Sequence, residues 1–191
     1  MSPQKKTLLE NLANCCSSCS NCVMHETRNS VVLGNGNINA EIAIVGEAPG
    51  REEDLCGKPF QGDAGKRLEN ELLTLAELSR SEVYITNTCK CRPINPHGGN
   101  RPPTPCERAA CKPFLLKELE IIGPKLVVLL GATPLKTFFG NNACIRDYHG
   151  RIWRFGSLLL YPTYHPSRCA RQWNKELLSD FESLNTLLKD L

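Results

Sequence analysis

The sequence predicts an α/β protein in which a parallel sheet carries helices on both faces, folded as one compact domain. Three observations carry this reading. Short apolar runs that end in glycine or a polar residue alternate along the chain with longer segments of helical periodicity. A length of 191 residues suits one domain and is short for two full-sized domains plus a linker. No internal repeat, low-complexity tract or long block of like charge breaks the chain into parts. Alternation of strand and helix requires crossover connections, which make neighbouring strands parallel and bury them on both faces.

The elements follow in order. Lys5 to Asn14 carries Leu8, Leu9 and Leu12 at helical spacing and leads directly into Cys15, Cys16, Cys19 and Cys22. Glu41-Ile42-Ala43-Ile44-Val45-Gly46 is the first strand, and a helix is predicted from Ala64 to Leu78. Val83-Tyr84-Ile85-Thr86 is the second strand, followed by a helix from Cys106 to Ile122. Lys125 to Gly131 is the third strand, with a helix from Pro134 to Phe139. Leu158 to Tyr161 is the fourth, and Lys175 to Leu188 closes the chain as a helix. Residues 1–40 thus form an N-terminal helix and first cysteine loop, 41–171 a core and 172–191 a C-terminal helix of a single 1–191 domain.

Composition narrows the function classes. Hydrophobic residues at 41%, charged residues at 23% and 13 prolines belong to a globular chain with a packed core, not to a disordered or fibrous one. The longest apolar stretches, around Leu126 to Leu130 and Leu158 to Tyr161, fall well short of the roughly 20 residues that cross a bilayer. The polar start Met1-Ser2-Pro3-Gln4-Lys5-Lys6 lacks an apolar signal core, so a cytoplasmic location without a membrane partner is expected. In a reducing compartment an odd count of 11 cysteines argues against a disulfide framework and toward metal ligands or free thiols. A net charge of +3 permits a nucleic-acid partner without demanding one.

Ligands in such folds bind beyond the carboxyl ends of the strands. Those segments are Gly46-Glu47-Ala48-Pro49-Gly50, Thr86-Asn87-Thr88-Cys89-Lys90, Gly131-Ala132-Thr133 and Thr163-Tyr164-His165-Pro166-Ser167. An acid, an amide and an imidazole therefore converge on one rim. Taken singly, Glu47 reads as a helix-cap carboxylate, Asn87 as a turn residue and His165 as a satisfied loop histidine. Their joint placement at strand ends favours a functional site.

The cysteines allow three readings. Cys19-x2-Cys22 is a tight pair whose thiolates can face one metal from a single turn, and Cys91 and Cys111 follow with 19 residues between them. A structural zinc site, an iron-sulfur cluster and free buried thiols are all compatible with that spacing. Cys15-x3-Cys19-x2-Cys22 also matches radical S-adenosylmethionine enzymes. Those enzymes, however, resemble a larger barrel and usually place an aromatic residue where this chain has Asn21, and the parse leaves Cys91 and Cys111 unexplained.

The motifs Gly46-Glu47-Ala48-Pro49-Gly50, Glu53-Asp54, Gly57-Lys58-Pro59-Phe60-Gln61-Gly62, Ala64-Gly65, Val83-Tyr84-Ile85-Thr86-Asn87, Lys90-Cys91-Arg92-Pro93 and His165-Pro166-Ser167 closely resemble the iron-sulfur (family 4) uracil-DNA glycosylases. The match runs in order from about Cys19 to Arg171. The resemblance implies a three-layer α/β/α sandwich around a four-stranded parallel sheet, with a [4Fe-4S] cluster on Cys19, Cys22, Cys91 and Cys111. Arg28 stands a few residues after the first pair, as in family members, which favours Cys19/Cys22 over Cys16/Cys19. It further implies a monomeric DNA-repair hydrolase that acts on uracil in single- or double-stranded DNA by base flipping, in base excision repair of DNA damage.

Roles follow from what the reaction requires. A flipped base costs a few kcal/mol of stacking and pairing, and Phe60 resembles the family's stacking ring. The Asn87 amide offers a donor and an acceptor for uracil O4 and N3–H, a pattern that mismatches cytosine. His165 is placed by resemblance to donate a hydrogen bond to O2 as charge develops there. Better-known uracil glycosylases carry an aspartate where Ala48 stands, so Glu47 is expected to position or polarise the water. They exclude thymine with a tyrosine where Gly50 stands, and Glu53 is expected to fill that space. Gly46, Ala48, Gly50 and Ser167 complete the expected substrate contacts.

Two departures from the family pattern stand out. Where the family has consecutive leucines as a wedge, this chain reads Ser167-Arg168-Cys169-Ala170-Arg171. Single-stranded or U·G substrates are therefore expected above U·A, with Arg168 and Arg171 on phosphates. The loop Ile94 to Asn100 lengthens a family connection, and a related group carries there a histidine that traps the sugar covalently. His97 occupies such a loop, but without that group's run of basic residues Pro96-His97-Gly98-Gly99 reads as a turn. A non-catalytic, cluster-stabilised DNA-binding module is the remaining alternative, and it leaves Phe60, Asn87 and His165 unexplained.

Overall fold

The fold was obtained as a computed structural model that describes residues 3–167 and 172–189. Six strands, β1 (Asn35–Gly36), β2 (Ile42–Gly46), β3 (Val83–Asn87), β4 (Leu126–Leu130), β5 (Trp153–Phe155) and β6 (Leu158–Thr163), form one mixed sheet in the order β1-β3-β2-β4-β6-β5. The expected four-stranded parallel sheet is thereby corrected. The four anticipated strands pair in parallel, but β1 and β5 add an antiparallel strand at either edge. The β5–β6 hairpin turns at Gly156, whose φ of 59° suits a tight turn. β1 is only two residues long and pairs through its backbone, leaving no hydrophobic pattern to read.

Helices cover both faces. These are α1 (Pro3–Ser17), α2 (Arg51–Cys56), α3 (Asp63–Arg67), α4 (Leu73–Leu75), α5 (Pro105–Ile122), α6 (Ala132–Phe139), α7 (Ile145–Tyr148) and α8 (Asn174–Leu188), and the long connections, 18–34 and 88–104, carry Cys19, Cys22 and Cys91. Along β2 successive side chains point to opposite faces. Ile42 and Ile44 enter a core with Leu68, Leu72, Leu73, Leu177 and Phe181, whereas Ala43 and Val45 enter one with Leu115, Leu119 and Phe138. β4 is buried along its whole length on both faces, as expected of a central parallel strand.

Local chemistry explains the boundaries. α5 starts at Thr104, whose hydroxyl accepts from Glu107 N while Glu107 Oε2 accepts from Thr104 N, and Pro105 occupies the first helical position. It ends at Gly123, with φ 64°. The predicted helix from Ala64 to Leu78 is instead α3, a π-helical turn over Leu68–Leu72 and α4. α1 runs on to Ser17, so Cys15 and Cys16 lie in its last turn and only Cys19 and Cys22 stand on the following loop. Among the described residues no helix is long and apolar enough to cross a membrane.

Candidate active site

β2 and β3 end side by side, with Gly46 in register with Asn87. A Cβ at position 46 would fall 2.5 Å from Asn87 Oδ1 and 2.5 Å from Phe60 Cζ. The amide and the ring thus meet directly over the glycine, an approach no other residue permits. Phe60 itself has φ 56°, the left-handed region that a side chain rarely adopts. Its peptide is wedged against Gly65, where a Cβ would lie 2.0 Å from the Phe60 carbonyl oxygen, and Arg80 Nη2 donates to Pro59 O at 2.8 Å.

Glu53 staples the loops on either side of that ring. Its carboxylate accepts from Gly50 N at 2.9 Å, Gln61 N at 2.8 Å and Gly62 N at 2.9 Å. A Cβ on Gly50 would come within 2.7 Å of Glu53 Oε2, so the carboxylate occupies the space that a larger residue at 50 would take.

His165 follows β6 and leans over the end of β4. Gly131, at φ 90°, makes room for it, since a Cβ there would lie 2.9 Å from His165 Cβ. The imidazole stands 6.4 Å from the Phe60 ring, centre to centre. Ser167 N donates to His165 Nδ1 at 3.2 Å, so in the neutral ring the proton sits on Nε2. Desolvation lowers the pKa of His165 to about 4, which keeps the ring neutral at physiological pH. The result is an uncharged Nε2–H donor on the rim.

Glu47 lies between β2 and the N-terminus of α6. Thr133 Oγ1 donates to its Oε2 at 2.5 Å. Burial pushes the Glu47 carboxyl above its ordinary value, and the Thr133 hydrogen bond and the nearby Arg108 charge oppose that rise.

A lobe of thiols adjoins the rim. Met24, Cys89, Cys91 and Cys111 are buried together, with Cys22, Val31 and Ala48 packed against them. Arg28 ties the first pair to the second: its Nη1 donates to Cys19 O at 2.8 Å and to Cys91 Sγ at 3.4 Å. Burial pushes the Cys91 thiol up to about 11, against the pull of Arg28, and raises Cys22 as well. A hydrogen bond between the Cys89 and Cys111 thiols holds Cys111 below its ordinary value and pushes Cys89 up. Among the described residues no three metal-binding side chains close around a single ion. The donor set, four thiols with a guanidinium and an S–H donor aimed at two of them, suits a cluster in which each iron takes one cysteine.

The structure brings Gly46, Glu47, Gly50, Glu53, Phe60, Asn87 and His165 to one rim. Ala48 and Ser167 adjoin it. The Ala48 side chain packs on the thiol lobe, and Ser167 presents its backbone N–H to His165. Arg168 and Arg171, and the wedge positions Cys169 and Ala170, lie outside the described residues. The loop at His97 is an ordered turn in which Asn95 Oδ1 accepts from His97 N and Gly99 N, with His97 exposed. Sequence reading passed over Thr133, although it stands in a strand-end segment that the geometric rule picks out.

A sequence profile described as the Uracil DNA glycosylase superfamily matches residues 33–191. The type-4 uracil-DNA glycosylase of Thermotoga maritima is 42% identical over 191 residues, covering 97% of this chain and 97% of that protein. The type-4 enzyme of Archaeoglobus fulgidus is 41% identical over 180 residues, 89% of this chain and 88% of its own length. That of Sulfurisphaera tokodaii is 38% identical over 180 residues, 89% of this chain and 80% of its own.

Proposed function

The chain belongs to the uracil DNA glycosylase superfamily, and from that premise we propose that it flips uracil out of DNA and hydrolyses the N-glycosidic bond, leaving an abasic site for base excision repair. The observation that carries the proposal is the meeting of the Asn87 amide and the Phe60 ring over Gly46, with the neutral His165 donor beside them.

The chemistry divides among these groups. Phe60 stacks on the flipped base, a contact worth about 1–3 kcal/mol. Asn87 Oδ1 accepts from N3–H while its NH2 donates to O4, and cytosine, with a donor where uracil has O4, is mismatched. Water adds its oxygen to C1′, the C1′–N1 electron pair leaves with the base, and the negative charge gathers on O2. His165 Nε2–H meets that charge. A ring with a pKa near 4 stays neutral in the ground state, so its hydrogen bond gains strength as the base becomes anionic. Glu47, anchored by Thr133, orients the attacking water and takes up its proton. Glu53, pressed against Gly50, closes the side of the pocket where a 5-methyl group would enter.

Cys19, Cys22, Cys91 and Cys111 would hold a [4Fe-4S] cluster whose contribution is to cross-link the loops, since hydrolysis moves no electrons. Arg168 and Arg171 are assigned to phosphates, which makes binding fall steeply with salt. The test is incubation with uracil-containing DNA followed by heating in alkali. Strand scission with turnover is expected; a heat-stable protein–DNA adduct would make the protein a trap, and no reaction would make it a binding module.

A further inference from the structure

Beneath the rim lies an ion pair that the chemistry above does not use. Lys90 and Glu118 are 2% and 0% exposed, and the ammonium contacts Glu118 Oε2 directly. The remaining two donors of Lys90 Nζ go to Thr86 Oγ1 at 2.8 Å and to the backbone carbonyl of Asn87 at 2.7 Å. Glu118 is as fully used. Its Oε1 accepts from Gly34 N at 2.6 Å and Tyr84 OH at 3.0 Å, and its Oε2 also accepts from Thr86 Oγ1 at 2.9 Å.

Stability is a weak reason for such a pair. Desolvating two charges costs several kcal/mol each, and apolar replacements of buried ion pairs are often neutral or stabilising. What an apolar pair cannot do is aim a charged donor at one carbonyl. That carbonyl belongs to the residue whose side chain lies against Gly46 and Phe60, the last of β3. The next two backbone N–H groups, of Thr88 and Cys89, still bond Gly46 O and Glu47 O, while the Asn87 carbonyl itself is taken by Lys90. Glu118 in turn sits on α5, so the donor is referenced to a long helix rather than to the loop on which Lys90 stands.

We propose that Lys90 is a positioning residue for base recognition: its ammonium, fixed by Glu118, holds the Asn87 backbone and thereby sets where the Asn87 amide meets uracil. This inference rests on the reading of Asn87 as the uracil-facing residue. Loss of one hydrogen bond from a charged donor should weaken recognition by about tenfold.

The test uses the full-length protein with Lys90→Met and Glu118→Gln combined, which removes both charges while the glutamine still accepts from Gly34 and Tyr84. The readouts are the inhibition constant of free uracil in single-turnover cleavage and the affinity for DNA carrying an abasic site. The double substitution should raise the uracil inhibition constant about tenfold, leave abasic-site affinity unchanged, and have no further effect when Asn87 is already alanine. Thr86→Val, a milder change that removes one partner of Lys90 without removing a charge, should act in the same direction and vanish in the same background. An equal loss with Asn87 and with Ala at 87 would show a structural role and overturn the proposal alone. So would an unchanged inhibition constant in the parent background. If Asn87→Ala by itself leaves uracil binding at the parental level, the reading of Asn87 falls, and the proposal with it.

Discussion

The rim and the thiol lobe share two short segments, Gly46 to Ala48 and Asn87 to Cys91, yet they are held by different physics. On the rim, position is set by the sheet: Gly46 and Asn87 are in register, and glycines at 46, 65 and 131 admit contacts that a Cβ would forbid. Among the described residues no buried side-chain nitrogen or oxygen there or elsewhere lacks a partner. In the lobe, the chain between α1 and β1 has one regular element, a 3₁₀ turn over Val23–Glu26, and Met24 and Cys22 from this segment pack with Cys89, Cys91 and Cys111. The rim is organised by the polypeptide itself. In the lobe, Arg28 and the Asp54 carboxylate, which accepts from Asn29 and Ser30, anchor the end of the loop, whereas the turn that carries Cys19 and Cys22 offers the donors of a metal centre, so its order should depend in part on what joins the thiols.

The largest test of that contrast is Cys91→Ser. The parent protein should be brown with about four irons per chain. The variant should lose its colour and iron, and its N-terminal loop should become protease-sensitive at temperatures where the sheet still holds. A colourless parent with stoichiometric zinc and full activity would refute the cluster, and an iron-free variant with an unaltered digestion pattern would show the lobe to be self-supporting.

His165→Ala should give the opposite signature. Removing one donor aimed at a developing charge costs about 2.7–4 kcal/mol, or roughly a hundred- to a thousandfold in the chemical step. Single-turnover cleavage should fall by that factor while iron content and melting temperature stay near parental values. Weakened DNA binding at an unchanged rate would move His165 from the chemistry to a DNA contact.

Gly46→Ala sharpens the comparison further, because it alters the rim by a single methyl. The added carbon collides with both Asn87 and Phe60, and overpacking of this kind costs about 1–3 kcal/mol. Excision should drop by about tenfold or more through displacement of those two side chains, with the visible spectrum unchanged. A parental rate would mean that the pocket floor yields easily and that the close approach is incidental.

These contrasts also explain what could be read in advance. The four central strands were legible because burial on both faces forces continuous apolar runs such as Leu126 to Leu130. β5 left a signal that went unread, an alternating Trp153-Arg154-Phe155 before a glycine turn, whereas the two residues of β1 leave none. The π-helical turn at Leu68–Leu72 preserves enough helical periodicity to pass as a plain helix. At the site, Gly46, Asn87 and His165 could be located because strand ends are fixed by the same periodicity that reveals the strands. Thr133 stands in such a segment too, but nothing in the sequence pairs it with Glu47, 86 residues away, and Glu118, in mid-helix, is likewise joined to Lys90, 28 residues away, only by the folded sheet.

The smallest expected effect concerns that Thr133–Glu47 contact and separates two acid limbs of the pH profile. Burial raises the Glu47 pKa, and the Thr133 hydroxyl, which bonds the ionised form, pulls it back down. If water activation needs the carboxylate, activity is present above the Glu47 pKa and is lost as pH falls through it. Thr133→Val removes the opposing hydrogen bond, so the midpoint of that loss should move to higher pH. His165 contributes a second, lower limb. Its neutral form is required and its pKa is about 4, so activity through His165 is lost only as pH falls toward that value. Its folded pKa lies below the unfolded one of about 6.5, so stability should also decline as pH drops between those two values. Glu47→Gln should abolish the upper limb, leave the lower one in place and make Thr133→Val silent. A Thr133→Val profile that coincides with the parent, or one that still shifts when Glu47 is glutamine, would remove Glu47 from water activation.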